Sequence, residues 1–514
     1  YQIISLIIKI IGGMKMNLSK SKYKQYWQCP KMLWMDTYQK EWEKQDANAE
    51  QRLKEGREVG ALARGIFGEY VETISYTTDG RLDLDSLLKN TQKYLAQGKE
   101  NICEAAFVYQ HCYCAVDILH RTEQGYDIYE VKASTSLEEE YIVECAYQKW
   151  VVENAGIHVG KVFVVYINNQ YVRNGEVDLH QLLKIQEVTD FLSPYLVSMD
   201  EKVKKAIQYI SKKEEPQMDI GAQCFKPDLC TYWDYCSKGL PKPNIFDLYR
   251  MQKRKAVNFY EKGIVTFSDI LEKKIALNSI QQKQVHAEVF HLPTHVNKNG
   301  IKTFLNQLSY PLYFLDFESF QTYIPLYDGI KPYQQVPFQY SLHYIEKENG
   351  VLQHKEFLAD ENEDPRRTLA EQLIKDIPPH ACVLAYNKSF ECMIIKQLAE
   401  TFFDLKKQLL NIRRKIYDLL DVFRDGFVYD QAMNGSLSIK SVLPAMFPNH
   451  PELNYHNLDD VHNGTEATAT FLSLKSLEKS KRDELRRSLL AYCHLDTLAM
   501  VRLWQRLQEL VQST

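Results

Sequence analysis

The sequence predicts two α/β domains joined by a helical stretch, and three observations carry that expectation. A chain of 514 residues exceeds what one ordinary hydrophobic core supports, so division into domains is expected. Helix-period and strand-period segments alternate along it, as layered α/β architectures require. Apolar residues make up 45% and charged residues 25% of the chain, and this globular balance, free of low-complexity tracts, argues that the segments pack into cores.

Residues 2–11 (QIISLIIKII) are apolar, but the run is far shorter than the roughly 20 residues a membrane-spanning helix needs. The chain opens on Tyr1, and Met14 and Met16 stand just before the first helical pattern. Residues 1–16 therefore read as an upstream or non-native extension rather than a signal peptide. With no other apolar segment of spanning length, no membrane contact is expected and a cytoplasmic location is the default.

Residues 17–237 form the first domain, with initial helices, alternating apolar strands around 104–132, a helix at 138–155 and a strand at 161–167. Residues 238–308 are polar and helical, broken at Pro241, Pro243, Pro293 and Gly300, and read as a connector;. The second domain spans 309–514. Its pattern runs strand (LYFLDFE), hairpin partner (PFQYSLHYI), helix near 366–376, strand (CVLAY), helix at 389–400 and a long helix from about 479;.

A formal charge of -4 argues against a protein that coats nucleic acid by bulk electrostatics. The local basic runs read most simply as solvated helix faces: Lys20, Lys22, Lys24 and Lys31; Lys253, Arg254 and Lys255; Arg413, Arg414 and Lys415;. Eleven dispersed cysteines do not read as a disulfide framework, which makes metal binding the better question.

The segment CAVDILHRTEQGYDIYEVKAS reads as two strands joined across a polar turn at Gly125;. Glu130 and Lys132, two apart, share a face, and Asp117 meets them from the neighbouring strand. Carboxylates grouped this way repel one another unless a cation intervenes, and hard oxygen ligands suit Mg²⁺ or Mn²⁺. Such an ion activates water and stabilises charge developing on a phosphate.

An isolated E-x-K is an ordinary charged hairpin, but the segment as a whole resembles the RecB-type branch of the PD-(D/E)XK nucleases, with their restriction-endonuclease-like fold. That resemblance implies Asp117 and Glu130 as metal ligands, Glu104 as a further acid supplied by an earlier helix, Lys132 as the catalytic lysine, and Gln148 as a partner from the following helix. Val152 stands where that family's Q-x-x-x-Y pattern places its aromatic residue.

Cys29 lies in KYKQYWQCPKMLW, and Cys224, Cys230 and Cys236 follow in CFKPDLCTYWDYC. Four thiolates complete either a 4Fe-4S cluster or a tetrahedral Zn²⁺ site. One cysteine before the nuclease core and three after it resembles the iron–sulfur nucleases of the AddB and CRISPR-adaptation type. The resemblance favours the 4Fe-4S cluster over zinc and implies a staple for the domain. The other seven cysteines are expected at core positions.

Asp316 and Glu318 interrupt the apolar strand LYFLDFES on one face, a costly arrangement without compensation;. Glu391 follows in YNKSFE, and Tyr492 and Asp496 lie four apart on a helix;. This order resembles the DnaQ-like exonucleases of the RNase H fold, in the subtype whose last motif is Y-x-x-x-D (DEDDy). By that resemblance Asp316, Glu318, Glu391 and Asp496 hold two Mg²⁺ or Mn²⁺ ions, and Tyr492 positions the attacking water for 3′→5′ hydrolysis. Glutamate stands at 391 where that family has aspartate. Asn387 and Lys440 are candidates to line a nucleic-acid groove. Asp418 and Asp421 read as strand-end structure, His494 as structural, and Tyr23, Tyr26 and Trp27 as core rather than base-stacking residues.

The succession looks like a bacterial family in which a RecB-like nuclease is fused to a DnaQ-like domain. The expected function is a metal-dependent nuclease acting on nucleic acid, with DNA ahead of RNA. The alternative is a nucleic-acid-binding or scaffolding component of a repair, mobile-element or phage-defence complex with one or both sites inactive.

Overall fold

In the computed structural model, residues 18–44, 49–78 and 80–512 are described; the extension expected at 1–16 lies outside them. The chain is mixed α/β and divides into two units. One runs up to Gly239 and includes Tyr323–Tyr333; the other comprises Leu240–Thr322 and Gln334–Thr514. Among the described residues no helix is long and apolar enough to cross a membrane.

The first unit opens with β1 (Leu18–Ser19), α1 (Lys20–Gln28) and α2 (Pro30–Tyr38). The Ser19 side chain accepts from Lys22 N to start α1, and Pro30, which needs no amide hydrogen, starts α2;. Cys29 is left in extended backbone at the corner between them. There follow α3 (Ala49–Ala63), β2 (Val71–Glu72), α4 (Leu84–Ala96), β3 (Asn101–Tyr109), β4 (Cys112–Thr122), β5 (Gly125–Lys132), α5 (Glu139–Asn154), β6 (Val159–Ile167), β7 (Leu183–Glu187) and α6 (Met199–Ser211).

These strands form one sheet in the order β2-β3-β4-β5-β6-β7, with β1 paired to β4. The expected hairpin is the antiparallel pair β4–β5, and β6 runs parallel to β5. A parallel neighbour needs a crossover, which α5 supplies. That helix is buried from Ile142 to Gln148 and again from Trp150 to Val152, which explains an apolar run with little amphipathic character. Tyr23 is buried and stacks on Tyr147 at 4.8 Å, while Tyr26 and Trp27 pack against the same core, as expected for core aromatics.

Residues 240–308 do not stand apart as a connector; they fold into the second unit. They carry α7 (Lys253–Glu261), α8 (Phe267–Glu272), α9 (Ser279–Phe290), β8 (His295–Val296) and α10 (Lys298–Leu305). Ile245, Phe246, Ile280 and Val285 are buried, and Gln284 on α9 donates to Asp247 O while accepting from Tyr249 N. The polar composition that suggests a linker is the outer surface of helices whose other faces join a core.

The remainder supplies β9 (Leu312–Phe320), β10 (Val336–Ile345), β11 (Gln353–Leu358), α11 (Pro365–Asp376), β12 (Cys382–Ala385), α12 (Ser389–Thr401), α13 (Lys406–Arg414), β13 (Ile416–Asp418), β14 (Val428–Tyr429), α14 (Ile439–Met446), α15 (Gly464–Ser473) and α16 (Lys479–Gln512). β14 pairs with β8. The main sheet has the order β11-β10-β9-β12-β13, antiparallel from β11 to β9 and parallel from β9 to β13. Strand alternation divides β9 between two faces. Tyr313, Leu315 and Phe317 join the core under α11, α12 and α13, while Phe314 meets Trp504 and Asp316 meets Cys493, both on α16.

Candidate functional site

In the first unit, the strand registers align three acids. β3 and β4 pair Cys103 with Ile118 and Ala105 with Val116, so Glu104 stands across from Asp117. β4 and β5 pair Ile118 with Tyr129, so the next step sets Asp117 across from Glu130. Glu104 therefore comes from a strand, not from the earlier helix that the resemblance implies. Its backbone has φ 57°, a left-handed conformation uncommon outside glycine;. Its side chain faces Arg64 at 3.3 Å.

Glu130 is the centre of this site. Lys20 Nζ donates to its Oε1 at 2.6 Å, Lys132 Nζ to the same oxygen at 2.7 Å, and Gln148 Nε2 to its Oε2 at 2.6 Å. The Asp117 carboxylate accepts from Val131 N at 2.6 Å. Lys132 also pairs with Glu144, which Lys24 reaches at 3.1 Å. Burial works against charge on Glu130, but Lys132 and Lys20 overcome it and hold the carboxyl below its usual range. Asp117 is pushed up to about 7 by burial and then by repulsion from Glu130, with Lys20 offsetting part of it. Glu104 is also raised by burial, with Arg64 opposing.

Two members of this network, Lys20 and Glu144, escape the sequence reading. Lys20 sits in a basic run that reads as a solvated helix face, yet its ammonium lies on a carboxylate that is 1% exposed. The available signals are spacings: Lys20 and Lys24 lie four apart on α1, and Glu144 and Gln148 four apart on α5, so each pair shares a helix face.

The cysteine set comes together from two distant segments. Cys29, Cys224, Cys230 and Cys236 line one small cavity with Lys31 and Met35. Gln28 Nε2 donates to Gln223 O and Asp228 O, and Cys230 N donates to Cys224 O, which tie the corner of α1 and α2 to the three-cysteine loop. Burial raises all four thiols, Cys224 to about 11 and Cys230 to about 12. A cation would reverse that preference, because thiolates are the ligand form. The other seven cysteines are unbridged; six are buried and Cys392 is half-buried.

In the second unit, the carboxylate oxygens of Asp316, Glu318 and Asp496 lie within 4.8 Å of one another, the acid trio that closes this tightly among the described residues. β9 supplies the first two by its two-residue repeat, and α16 supplies the third. Glu391, in the first turn of α12, is buried, and its Oε2 has no hydrogen-bond partner. Burial, then repulsion from Asp496 and Glu318, raises Asp316 well above the usual carboxylate range. Burial pushes Glu318 and Glu391 up to about 8, with Asp496 adding to the first and Asp418 to the second. Asp496 stands at about 6, because burial raises it while Tyr455 and Lys440 restrain it.

Tyr455 OH donates to Asp496 Oδ1 at 2.7 Å, a contact with no local sequence signal, and its ring meets that of Tyr492 edge-on at 6.0 Å. Lys440 Nζ lies 4.9 Å from the Tyr455 ring centroid and 5.4 Å from that of Tyr492, and it donates to His462 O. Lys440 therefore borders the acid trio. Asn387 is exposed at the turn before α12, with φ 66°, its Oδ1 accepting from Ser389 Oγ. Asp418 accepts from Asn387 N and Leu420 N, the strand-end role expected of it, and Asp421 is paired with Arg424.

Residues 313–438 match a family model described as "Domain of unknown function (DUF2779)". The match takes in Asp316, Glu318, Asn387 and Glu391, and ends before Lys440, Tyr492 and Asp496. No curated protein matches the chain.

Proposed function

We propose that this protein is a Mg²⁺- or Mn²⁺-dependent nuclease, with a DnaQ-like 3′→5′ exonuclease site of RNase H-like fold in the second unit and a RecB-like PD-(D/E)XK site in the first. The observation that carries the reading is the convergence of Asp316, Glu318 and Asp496, the first half-buried and the other two buried, with Glu391 buried and raised in pKa beside them. Acids crowded this closely, with no salt bridge to any of the three among the described residues, form a donor set suited to hard divalent cations. The bound ions would supply Lewis acidity and neutralise charge on the phosphodiester.

The chain's own residues do the rest. Tyr455 fixes the orientation of Asp496, Tyr492 would orient the attacking water, and Lys440 would offer a positive charge to the backbone of a nucleic acid, DNA ahead of RNA. In the first unit, Asp117, Glu130 and Glu104 would hold the ion, Lys132 would orient the nucleophile, and Gln148 keeps Glu130 in place.

For the cysteine set, whose four members line one cavity, either a 4Fe-4S cluster or Zn²⁺ would find its four thiolates, and the resemblance to iron–sulfur nucleases favours the cluster. The four would tie the start of the unit to its end.

End-labelled single- and double-stranded DNA, and RNA, should be degraded with Mg²⁺ or Mn²⁺ and not with chelator. Asp316→Ala and Lys132→Ala should each remove a different part of the product pattern. Degradation by both variants indistinguishable from that of the unaltered protein would sink the proposal.

A further inference from the structure

A second cluster in the same unit takes no part in the proposed chemistry. His343 on β10 and His354 on β11 are direct partners in the antiparallel ladder, and His494 reaches them from α16. Ring centroids lie 4.5 Å apart for His343 and His354, 4.7 Å for His343 and His494, and 4.4 Å for His354 and His494. One ring nitrogen from each lies within 4.8 Å of the others.

One ring nitrogen of each of two histidines is already hydrogen-bonded. His343 Nδ1 is 2.8 Å from Thr497 Oγ1, His354 Nε2 is 2.9 Å from Ser341 Oγ, and the two hydroxyls are 2.7 Å from each other. Among the described residues, His343 Nε2, His354 Nδ1 and both ring nitrogens of His494 make no hydrogen bond. We propose that His343, His354 and His494 form a transition-metal site, with Zn²⁺ as the favoured ion, distinct from the carboxylate trio.

The donor chemistry separates the two sites. Imidazole nitrogen suits Zn²⁺ and its neighbours, whereas Mg²⁺ and Mn²⁺ prefer the oxygens of the carboxylates. Burial, then mutual repulsion, holds His343 at about 3 and His354 at about 4, so both present neutral lone pairs at ordinary pH. Hydroxyl partners on one nitrogen each of His343 and His354 set the ring orientation and leave the other nitrogen to a ligand role, as outer partners of metal-bound histidines do;. His343 is buried while His354 and His494 are half-buried, which leaves room for a fourth ligand from solvent;.

His494 precedes Asp496 by two residues, roughly 200° around the helix, so the histidines and the acids use different faces of α16. An ion on the histidines clamps α16 to β10 and β11. It thereby fixes the helix that carries Tyr492 and Asp496 against the sheet that carries Asp316 and Glu318. The role is structural and does not depend on whether the acids cut nucleic acid.

Crystals of the full chain soaked in Zn²⁺ and measured at the zinc edge test the assignment. An anomalous peak about 2.0–2.1 Å from a nitrogen of each histidine is expected. Peaks confined to the cysteines or carboxylates overturn it. In solution, His354→Gln and His494→Gln should each lose one equivalent of Zn²⁺ with an unchanged circular-dichroism spectrum. The affinity loss should exceed the roughly 100-fold that removing an outer partner costs. Zn²⁺ stoichiometry equal to that of the unaltered protein in both variants overturns the site, and if either variant fails to fold, the crystal result on the unaltered protein decides.

Discussion

Raising the pH of the metal-free protein from 6.5 to 8 should destabilise the second unit; two carboxyls set the scale, and Asp316, also raised, acts in the same direction. Glu318 and Glu391 are held at about 8, against an ordinary value of 4.5, by burial first and by Asp496 and Asp418 respectively. The folded acid keeps a proton that the unfolded chain has released, so this stabilisation is present at low pH and lost as the pH rises through the folded value. The window is chosen with the histidines in mind. His343 and His354, depressed to about 3 and 4, give the opposite slope below their ordinary 6.5 and none above it. Over 1.5 pH units, at about 1.4 kcal/mol per unit, one carboxyl contributes about 2 kcal/mol and two at most about 4. For a unit of this size that is a fall in melting temperature of roughly 5–10 °C. Mn²⁺ at about 100 times its dissociation constant adds about 2.7 kcal/mol and offsets most of the loss.

Differential scanning fluorimetry in chelator, then in Mn²⁺, measures both shifts. Asp496→Asn removes the anion that adds to the Glu318 shift, at constant shape, and should flatten the slope and shrink the Mn²⁺ response. Asp117, at about 7, adds a smaller slope in the first unit that this variant leaves in place. A melting temperature constant across the window without metal, or an Asp496→Asn profile that overlays the unaltered one, would refute the reasoning.

Three further outcomes are expected. Lys20→Met leaves Glu130 with only Lys132 and Gln148 and should cost toward the lower end of the roughly 3–5 kcal/mol seen when a buried ion pair loses one partner; urea denaturation within about 0.5 kcal/mol of the unaltered protein would instead mark a surface lysine. Tyr455→Phe removes the donor to Asp496 Oδ1, a charge-assisted bond of about 1.5–3 kcal/mol, so single-strand degradation should slow by about 10–100-fold with KM for nucleic acid unchanged; an unaltered rate would detach Tyr455 from the site. Anaerobically purified protein should be brown, with a broad absorption band and iron that Cys230→Ser abolishes; a colourless chain holding one zinc at the four thiols would replace the cluster assignment.

Much of this was legible because the relevant patterns are local. The alternation of LYFLDFES places Asp316 and Glu318 on one face whatever lies beside them, since the pleat repeats every two residues. Tyr492 and Asp496 share a face of α16 for the same kind of reason, the helical repeat. The hairpin around Gly125 follows from turn chemistry. Two expectations fail, one drawn from composition and one from the family resemblance. Residues 240–308 are polar enough to resemble a linker, yet their buried faces join the second unit, and Glu104 comes from a strand rather than a helix.

The sequence by itself determined which side chains are available to do chemistry and, through the two- and four-residue repeats, which near neighbours face the same way. Only the tertiary structure decided which distant groups meet. Lys20 reaches Glu130 across 110 positions, Tyr455 reaches Asp496 across 41, and His343, His354 and His494 become a trio through ladder register and the docking of α16. The physical reason is that register and packing are set by the burial of whole faces against one another, a sum over many apolar contacts that no short stretch of residues contains.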